Sequence, residues 1–382
     1  MRRVLRSLME RLLAWAARRV LVGERPTIVG VTGSSGKTST KAAISHVLSA
    51  TVSLPVIESE GNLNTEFGLP LAVLQLPKPE QFGQWATTAF SALRLGLFPP
   101  PVRPTIRVLE YGAEFPGDIA KLVAIAQPTV AVVTNVGPAH LEFFKTLDNV
   151  AREKVTLIRN VPATGRVILS GDDQFADWMT KQTRAEVVRI SGVGGEFSQA
   201  VAVSVAQWFD VSSEAAQAAA ASWTPPPGRL VELPGIAGSV VIDDSYNANP
   251  SSTTLALNTV RKRAKQLNAQ RLIVVLGDML ELGPEEERYH RGIALLAQKA
   301  ATVTILVGRR FHGMPSDHWF PDPHAAALFL KSIVQPNDML LVKGSQGMRM
   351  ELVVEAVLAD PADRTKLVRQ SPAWKAKPFV QP

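Results

Sequence analysis

The chain has 382 residues, long enough for two or three domains with a core each, and its 46% hydrophobic and 20% charged residues describe an ordinary folded protein. It has no cysteine, which excludes disulfides and thiolate metal sites and agrees with an expected cytoplasmic location. The net charge of +7 sits at the two ends, +5 over residues 1–25 and +4 over 361–382, leaving −2 for the body, so no nucleic-acid partner is expected.

The first predicted element is a helix from Met1 to about Val22. It sets Val4, Leu5, Leu8, Leu12, Trp15 and Ala16 at helical spacing, with Arg2, Arg3, Arg6, Arg11 and Arg18 interspersed. Arg11 and Arg18 interrupt it too often for a bilayer span, and it lacks the apolar core and cleavage site of a signal peptide. Three placements follow: packed on its own domain, lying on the anionic inner face of a membrane, or contacting a partner protein.

Next comes Ile28-Val29-Gly30-Val31-Thr32-Gly33-Ser34-Ser35-Gly36-Lys37-Thr38-Ser39-Thr40, an apolar run that breaks into a glycine-rich loop and then a helix-compatible stretch. The backbone N–H groups of Gly33, Ser34, Ser35 and Gly36, with the positive end of the following helix, suit a polyphosphate; Lys37 can reach its terminal oxygens and the Thr38 hydroxyl can ligate Mg²⁺. ATP is the expected nucleotide, and the competing reading is a glycine-rich turn that binds none. The general phosphate-loop pattern places a glycine where this chain has Val31. The form Thr-Gly-x-x-Gly-Lys-Thr instead resembles the loop of the Mur ligase superfamily, whose members couple ATP hydrolysis to amide-bond formation.

From Pro26 to about Pro227 apolar runs alternate with helical stretches, as in a parallel sheet covered on both faces. The runs are Thr27 to Val31, Thr105 to Glu110, Thr129 to Asn135 and Gly165 to Ser170, and such sheets gather function at the strands' carboxyl ends. Two of these ends carry Glu110 and His140, a carboxylate and an imidazole able to hold a second Mg²⁺ beside a polyphosphate.

Glu110-Tyr111-Gly112-Ala113, Gly117-Asp118-Ile119-Ala120 and Thr134 through Glu142 resemble, in order, motifs of the Mur ligase branch that adds D-alanyl-D-alanine to a UDP-N-acetylmuramoyl tripeptide. Gly61 through Gly68 resembles a loop of that branch facing the sugar-peptide substrate, which implies substrate roles for Asn62, Asn64 and Thr65, with Thr65 standing where asparagine is usual. Fourteen residues after His140 comes Lys154; the resemblance implies a carbamylated lysine there, whose acidic carbamate helps to hold the second magnesium. By itself, a lysine on such a stretch reads as a solvated helix residue. Gly171-Asp172-Asp173 matches a paired acidic turn of the family.

Trp223 to Arg229, with three prolines, reads as an interdomain linker. A second unit begins with the strand Ser239 to Ile242, which runs into Asp243-Asp244-Ser245-Tyr246-Asn247-Ala248-Asn249-Pro250. The resemblance implies nucleotide contacts from Arg229, Asp244, Tyr246 and Asn247; a plain Asp/Asn/Pro turn is the alternative. A strand and turn over Leu272 to Gly283 precede a helix containing His290, to which no catalytic role is assigned. A later strand, Asp338 to Val342, leads to Lys343-Gly344-Ser345-Gln346, similar to a Lys-Gly-Ser-Arg loop of the family. Gln346 replaces the arginine, so Lys343 and Arg349 become the candidates to hold an acceptor carboxylate.

The expected fold is α/β, a phosphate-loop central domain with a mainly parallel sheet plus a Rossmann-like C-terminal domain. The expected parts are a basic amphipathic helix over 1–25, the central domain over 26–228, the C-terminal domain over 229–360 and a flexible basic tail over 361–382. The resemblance covers about 26–356 and not the N-terminal uridine-nucleotide domain of such ligases. It implies that an acceptor carboxylate attacks ATP to give an acyl phosphate, helped by Lys37, His140, Lys154 and two Mg²⁺, and that an amine donor then displaces phosphate, with domain closure excluding water. The acceptor would be a muramyl-peptide precursor. Alternatives are a ligase making another peptide or polyamide, and a non-catalytic membrane-associated scaffold that binds ATP.

Overall fold

In the computed structural model residues 2–59, 63–79, 81, 83–138 and 140–375 are described. They fold as two compact units, Met1–Val136 with Phe143–Trp223, and Gly137–Glu142 with Thr224–Pro382. Each is built on one six-stranded sheet.

In the first unit β1 (Thr27–Thr32), β2 (Val56–Glu58), β3 (Ile106–Glu110), β4 (Val130–Val133), β5 (Arg166–Ser170) and β6 (Glu186–Ile190) lie in the order β2-β3-β1-β4-β5-β6. Every pairing is parallel. The strands are near-continuous apolar runs because both faces are covered: β3 and β4 are buried along their whole lengths. The chain leaves β1 for β2 on one side and later returns to β4 on the other, so the order reverses beside β1. A crevice at the carboxyl ends of the strands is expected there.

Residues 174–222, uninformative as sequence, supply β6 and the helix Gly194–Trp208, which packs on the helix Lys37–Thr51 that follows the phosphate loop. Their shared core joins Ala43, Ile44, Val47 and Leu48 to Val201, Ala202 and Val205, and the Thr40 and Ser198 hydroxyls meet at 3.1 Å.

The N-terminal helix spans Arg2–Glu24 and takes the first of its three expected placements along its second half. Leu13, Ala16, Ala17, Val20 and Leu21 are buried against the unit. Burying the three larger of these contributes about 1.5–3 kcal/mol each, more than a surface ion pair returns. Glu24 at its end reaches Arg107 of β3 at 2.6 Å, and that arginine is fully buried. Val4, Leu5, Leu8 and Val22 remain exposed.

In the second unit β7 (Val231–Pro234), β8 (Val240–Asp244), β9 (Arg271–Gly277), β10 (Val303–Val307), β11 (His318–Phe320) and β12 (Asp338–Lys343) lie in the order β11-β10-β9-β12-β8-β7. Only the edge strand β7 is antiparallel. Side chains of β9 alternate between two cores: Ile273 and Val275 on one face, Leu272, Val274 and Leu276 on the other. His290 is structural: it is buried, its Nε2 accepts from the Met279 amide at 3.0 Å, and its Nδ1 lies 2.7 Å from the Glu286 carbonyl.

The tail beyond residue 360 departs from the flexibility expected of it as far as the described residues run. Pro361–Lys366 and Pro372–Lys375 are helical turns, Leu367 is buried, and Arg369 pairs with Glu351 at 2.8 Å. A composition rich in proline and lysine suggested mobility; one buried leucine and one buried ion pair hold the segment instead.

Candidate active site

The phosphate loop is shaped by what lies behind it. Gly33 has φ 150°, and a Cβ there would stand 1.8 Å from the Thr134 hydroxyl, so no larger residue fits. Thr134 and Asn135, at the end of β4, brace the loop. The Thr134 hydroxyl donates to the Ser35 carbonyl at 2.5 Å, the Asn135 Oδ1 accepts from the Ser35 amide at 2.9 Å, and the Asn135 amide donates to the Ser35 hydroxyl at 2.9 Å. Gly36 adopts a left-handed conformation and caps the helix Lys37–Thr51, and Lys37 Nζ donates to the Gly33 carbonyl at 2.8 Å. Residues 33–38 thus form one held loop at the carboxyl end of β1, with the helix N-terminus aimed at it.

Glu110 ends β3, the neighbour of β1. Its Oε2 accepts from the Thr38 hydroxyl at 2.8 Å, and its Oε1 accepts from the Asn64 side-chain amide at 2.7 Å. A carboxylate beside a hydroxyl is a hard oxygen donor set of the kind Mg²⁺ takes. Thr65 has a local role, its hydroxyl accepting from the Gly68 amide at 3.2 Å. Asn62 lies outside the described residues.

Lys154 sits on the helix Leu147–Arg159, capped by Thr146, whose hydroxyl accepts from the Asn149 amide at 3.2 Å. It is buried, contrary to the solvated placement that its helical context suggests. The adjacent Glu153 fastens this turn, accepting from the Gly117 and Ile119 amides at 2.7 Å each. Burial pushes the Lys154 ammonium down to about 7, with Lys37 adding to the effect while Glu153 and Asp173 oppose it. Asp173, in the acidic turn after β5, accepts from the Val136 amide at 2.5 Å and so ties the exit of β4.

Of the four residues expected to hold magnesium, then, Thr38 and Glu110 meet and Lys154 lies in the same unit, within electrostatic reach of Lys37. His140 groups with the second unit, in a left-handed conformation with φ 51°, and its Nδ1 is 2.9 Å from Glu281. Among the described residues no cluster of three or more His, Asp or Glu side chains is poised for a metal.

In the second unit the strand register places Lys343 of β12 opposite Asp244 of β8. The Lys343 ammonium donates to Asp244 at 2.6 Å and to the Asn247 carbonyl at 2.8 Å, and the Asn247 Oδ1 accepts from the Gln346 amide at 3.3 Å. Burial raises the Asp244 carboxyl, and Lys343 and Arg229 counteract it. The Arg229 guanidinium lies 4.1 Å from the Tyr246 ring centre, a cation–π contact. Lys343 and Arg349, the candidates for an acceptor carboxylate, are both drawn into internal ion pairs, Lys343 with Asp244 and Arg349 with Glu351 at 3.4 Å. The reason is burial: an ammonium within a sheet requires a carboxylate partner. Sequence reasoning missed Asn135, Glu153, Glu351 and Arg369.

The Mur ligase middle domain matches residues 31–217, and the Mur ligase glutamate ligase domain matches 228–346. The chain is 30% identical to the UDP-N-acetylmuramoyl-tripeptide–D-alanyl-D-alanine ligase of Mycobacterium tuberculosis, over 91% of this chain and 76% of that protein. Among solved structures it is similar to MurF from Acinetobacter baumannii, with a TM-score of 0.74, 24% identity and coverage of 90% of this chain and 79% of that one. It is also similar to MurF ligase from Thermotoga maritima in complex with ADP, with a TM-score of 0.73, 24% identity and coverage of 91% and 83%. With its phosphate loop, its two sheets and these matches, the chain belongs to the Mur ligase family of ATP-dependent peptide ligases.

Proposed function

We propose that this protein is an ADP-forming ligase that joins D-alanyl-D-alanine, or a similar amine donor, to the carboxyl group of a peptidoglycan-type peptide precursor. The observation that carries it is the Glu110 carboxylate 2.8 Å from the Thr38 hydroxyl, beside a phosphate loop that ends in Lys37. Gly33 to Gly36 bind the polyphosphate through backbone amides, and Lys37 offsets charge as the acceptor carboxylate oxygen bonds to the γ-phosphorus and ADP leaves. Thr38 and Glu110 would hold Mg²⁺, which when bound neutralises phosphate charge. The amine then attacks the acyl carbon to form the C–N bond, the acyl C–O bond breaks as inorganic phosphate leaves with that oxygen and its electron pair, and the amine gives up a proton. Arg229, Asp244, Tyr246 and Asn247 are assigned to the nucleoside end, and Asn64 and Thr65 to the acceptor. His140 remains a candidate second-magnesium ligand once released from Glu281.

Carbamylation of Lys154 is part of the proposal. The carbamate forms when a neutral amine attacks CO₂ and loses a proton, and a lysine held near 7 supplies that neutral amine at physiological pH. Phosphate release is the test, measured with ATP, Mg²⁺, D-alanyl-D-alanine and muramyl tripeptides with and without UDP, beside Lys154→Ala. Release that requires both substrates and vanishes in the variant is expected. ATP binding without turnover on any acceptor would favour a non-catalytic scaffold.

A specific surface supports peripheral contact with an anionic bilayer. The helix Gln84–Leu97 packs on the N-terminal helix and buries Thr88, Ala92 and Gly96. Its opposite face exposes Phe90 by 70%, Leu93 by 44% and Leu97 by 54%, followed by Phe98 at 75%. Arg94, Arg103, Arg11 and Arg18 are exposed on the same two helices and the segment after them. No helix among the described residues is long and apolar enough to cross a membrane. In flotation with vesicles containing anionic lipid the full chain is expected to rise and the Phe90→Ser/Leu97→Ser/Phe98→Ser variant to stay behind; equal behaviour sinks the contact.

A further inference from the structure

We infer that Arg369, in the segment after the second sheet, is a positioning residue that holds the Ser245–Asn247 loop in its nucleotide-receiving shape. The inference rests on the nucleoside-facing role proposed for Tyr246 and Asn247.

The Arg369 guanidinium spans two consecutive carbonyls of this loop: Nη1 donates to Ser245 at 3.2 Å and Nη2 donates to Tyr246. Nη1 also donates to Glu351 at 2.8 Å, and both side chains are almost fully buried, at 4% and 2% exposure. Arg369 itself has φ 60°, a conformation a non-glycine residue holds only when its surroundings require it.

The neighbouring contacts converge on the same loop. The Tyr246 amide donates to the Gly228 carbonyl at 3.1 Å. Gly228 has φ 69°, and a Cβ there would lie 2.8 Å from Val368 and 3.0 Å from the Tyr246 amide. Thus the linker, the Tyr246 loop and the 368–369 segment touch at one point. Both Arg229 and Arg369 lie by the Tyr246 ring, at 4.1 and 5.7 Å from its centre. The planar guanidinium reaches these acceptors from separate, fixed nitrogens, whereas a shorter lysine would have to gather them all around one nitrogen.

A loop left without this clasp samples several shapes, and apparent affinity falls by the fraction that remains competent. If that fraction drops to about a tenth, the ATP dissociation constant rises about tenfold. The test is calorimetric titration of the full-length protein with ATP and Mg²⁺, together with the KM for ATP and kcat in the phosphate-release assay. Arg369→Lys keeps the charge opposite Glu351, so it guards against misfolding, and Arg369→Met removes both clasp and charge. Both are expected to raise Kd and KM for ATP about tenfold, with kcat at saturating ATP within about twofold, and to speed hydrogen exchange at the amides of Tyr246 and Asn247. Tyr246→Ala tests the underlying reading. If Tyr246→Ala weakens ATP and Arg369→Lys does not, the positioning role is overturned. If Tyr246→Ala leaves ATP binding intact, the nucleoside assignment fails instead.

Discussion

At the carboxyl edge of β1, Lys37 and Lys154 stand close enough for one to weaken the other's hold on a proton, whereas at the carboxyl edges of β8 and β12 Lys343 lies 2.6 Å from Asp244. Glu110, at the end of β3, accepts from the neutral donors Thr38 and Asn64. The second unit repeats its own habit at Glu351, which takes Arg349 at 3.4 Å and Arg369 at 2.8 Å. Positive charge beside backbone amides favours an anion that arrives and leaves. Buried charge cancelled within the fold keeps a loop in one shape. The first unit is therefore read as the place of chemistry and the second as a preorganised holder.

The sharpest way to break this contrast is to remove each lysine in turn. Lys37→Met and Lys154→Met are each expected to lower kcat about 10³-fold in the phosphate-release assay, with urea denaturation checking that each variant is folded. A loss below tenfold for either would mean that its charge is not aimed at the reaction. Lys343→Met should act on the fold. With Asp244 left buried without its 2.6 Å ammonium partner, the second unit is expected to lose about 3 kcal/mol in urea denaturation, and Lys343→Met/Asp244→Leu should recover part of it.

Glu110→Gln is a smaller step, since glutamine still reaches Thr38 and Asn64 but brings no charge. The Mg²⁺ concentration for half-maximal activity is expected to rise about 10–100-fold with little change in melting temperature. A further effect is one of pH. In CO₂-free buffer the Lys154 amine titrates at about 7 in the folded chain against an ordinary 10.5, so between those values the unfolded chain holds the extra proton. Stability should rise with pH across that window, with the penalty fully present below about 7, and Lys154→Met should flatten the rise. Added bicarbonate should restore activity to the wild type near neutral pH and do nothing for the variant.

Much of this was legible in the residues. The loop from Gly33 to Thr38 reads as a phosphate site because glycine, lysine and threonine in that spacing serve one purpose, and β1, β3, β4, β5, β8, β9 and β12 read as strands because their apolar runs end in polar or glycine residues. The short edge strands β2 and β11 and the strand β6 did not, since three to five residues of mixed character carry no period. His140 shows the limit of motif order: it occupies its place in the series, yet its imidazole is engaged by Glu281.

The chain's own pattern thus determined the class of fold, the family, the phosphate loop and the candidacy of Glu110 and Lys154, because periodicity and short motifs are local properties of a sequence. Only the tertiary structure decided that Lys154 is buried beside Lys37, that Glu110 binds Thr38 and Asn64 together, and that Arg369 closes on a loop well over a hundred residues earlier. Those facts depend on which distant segments share a low-dielectric interior. There an unpaired charge is costly enough to choose its partner, and no local pattern records that choice.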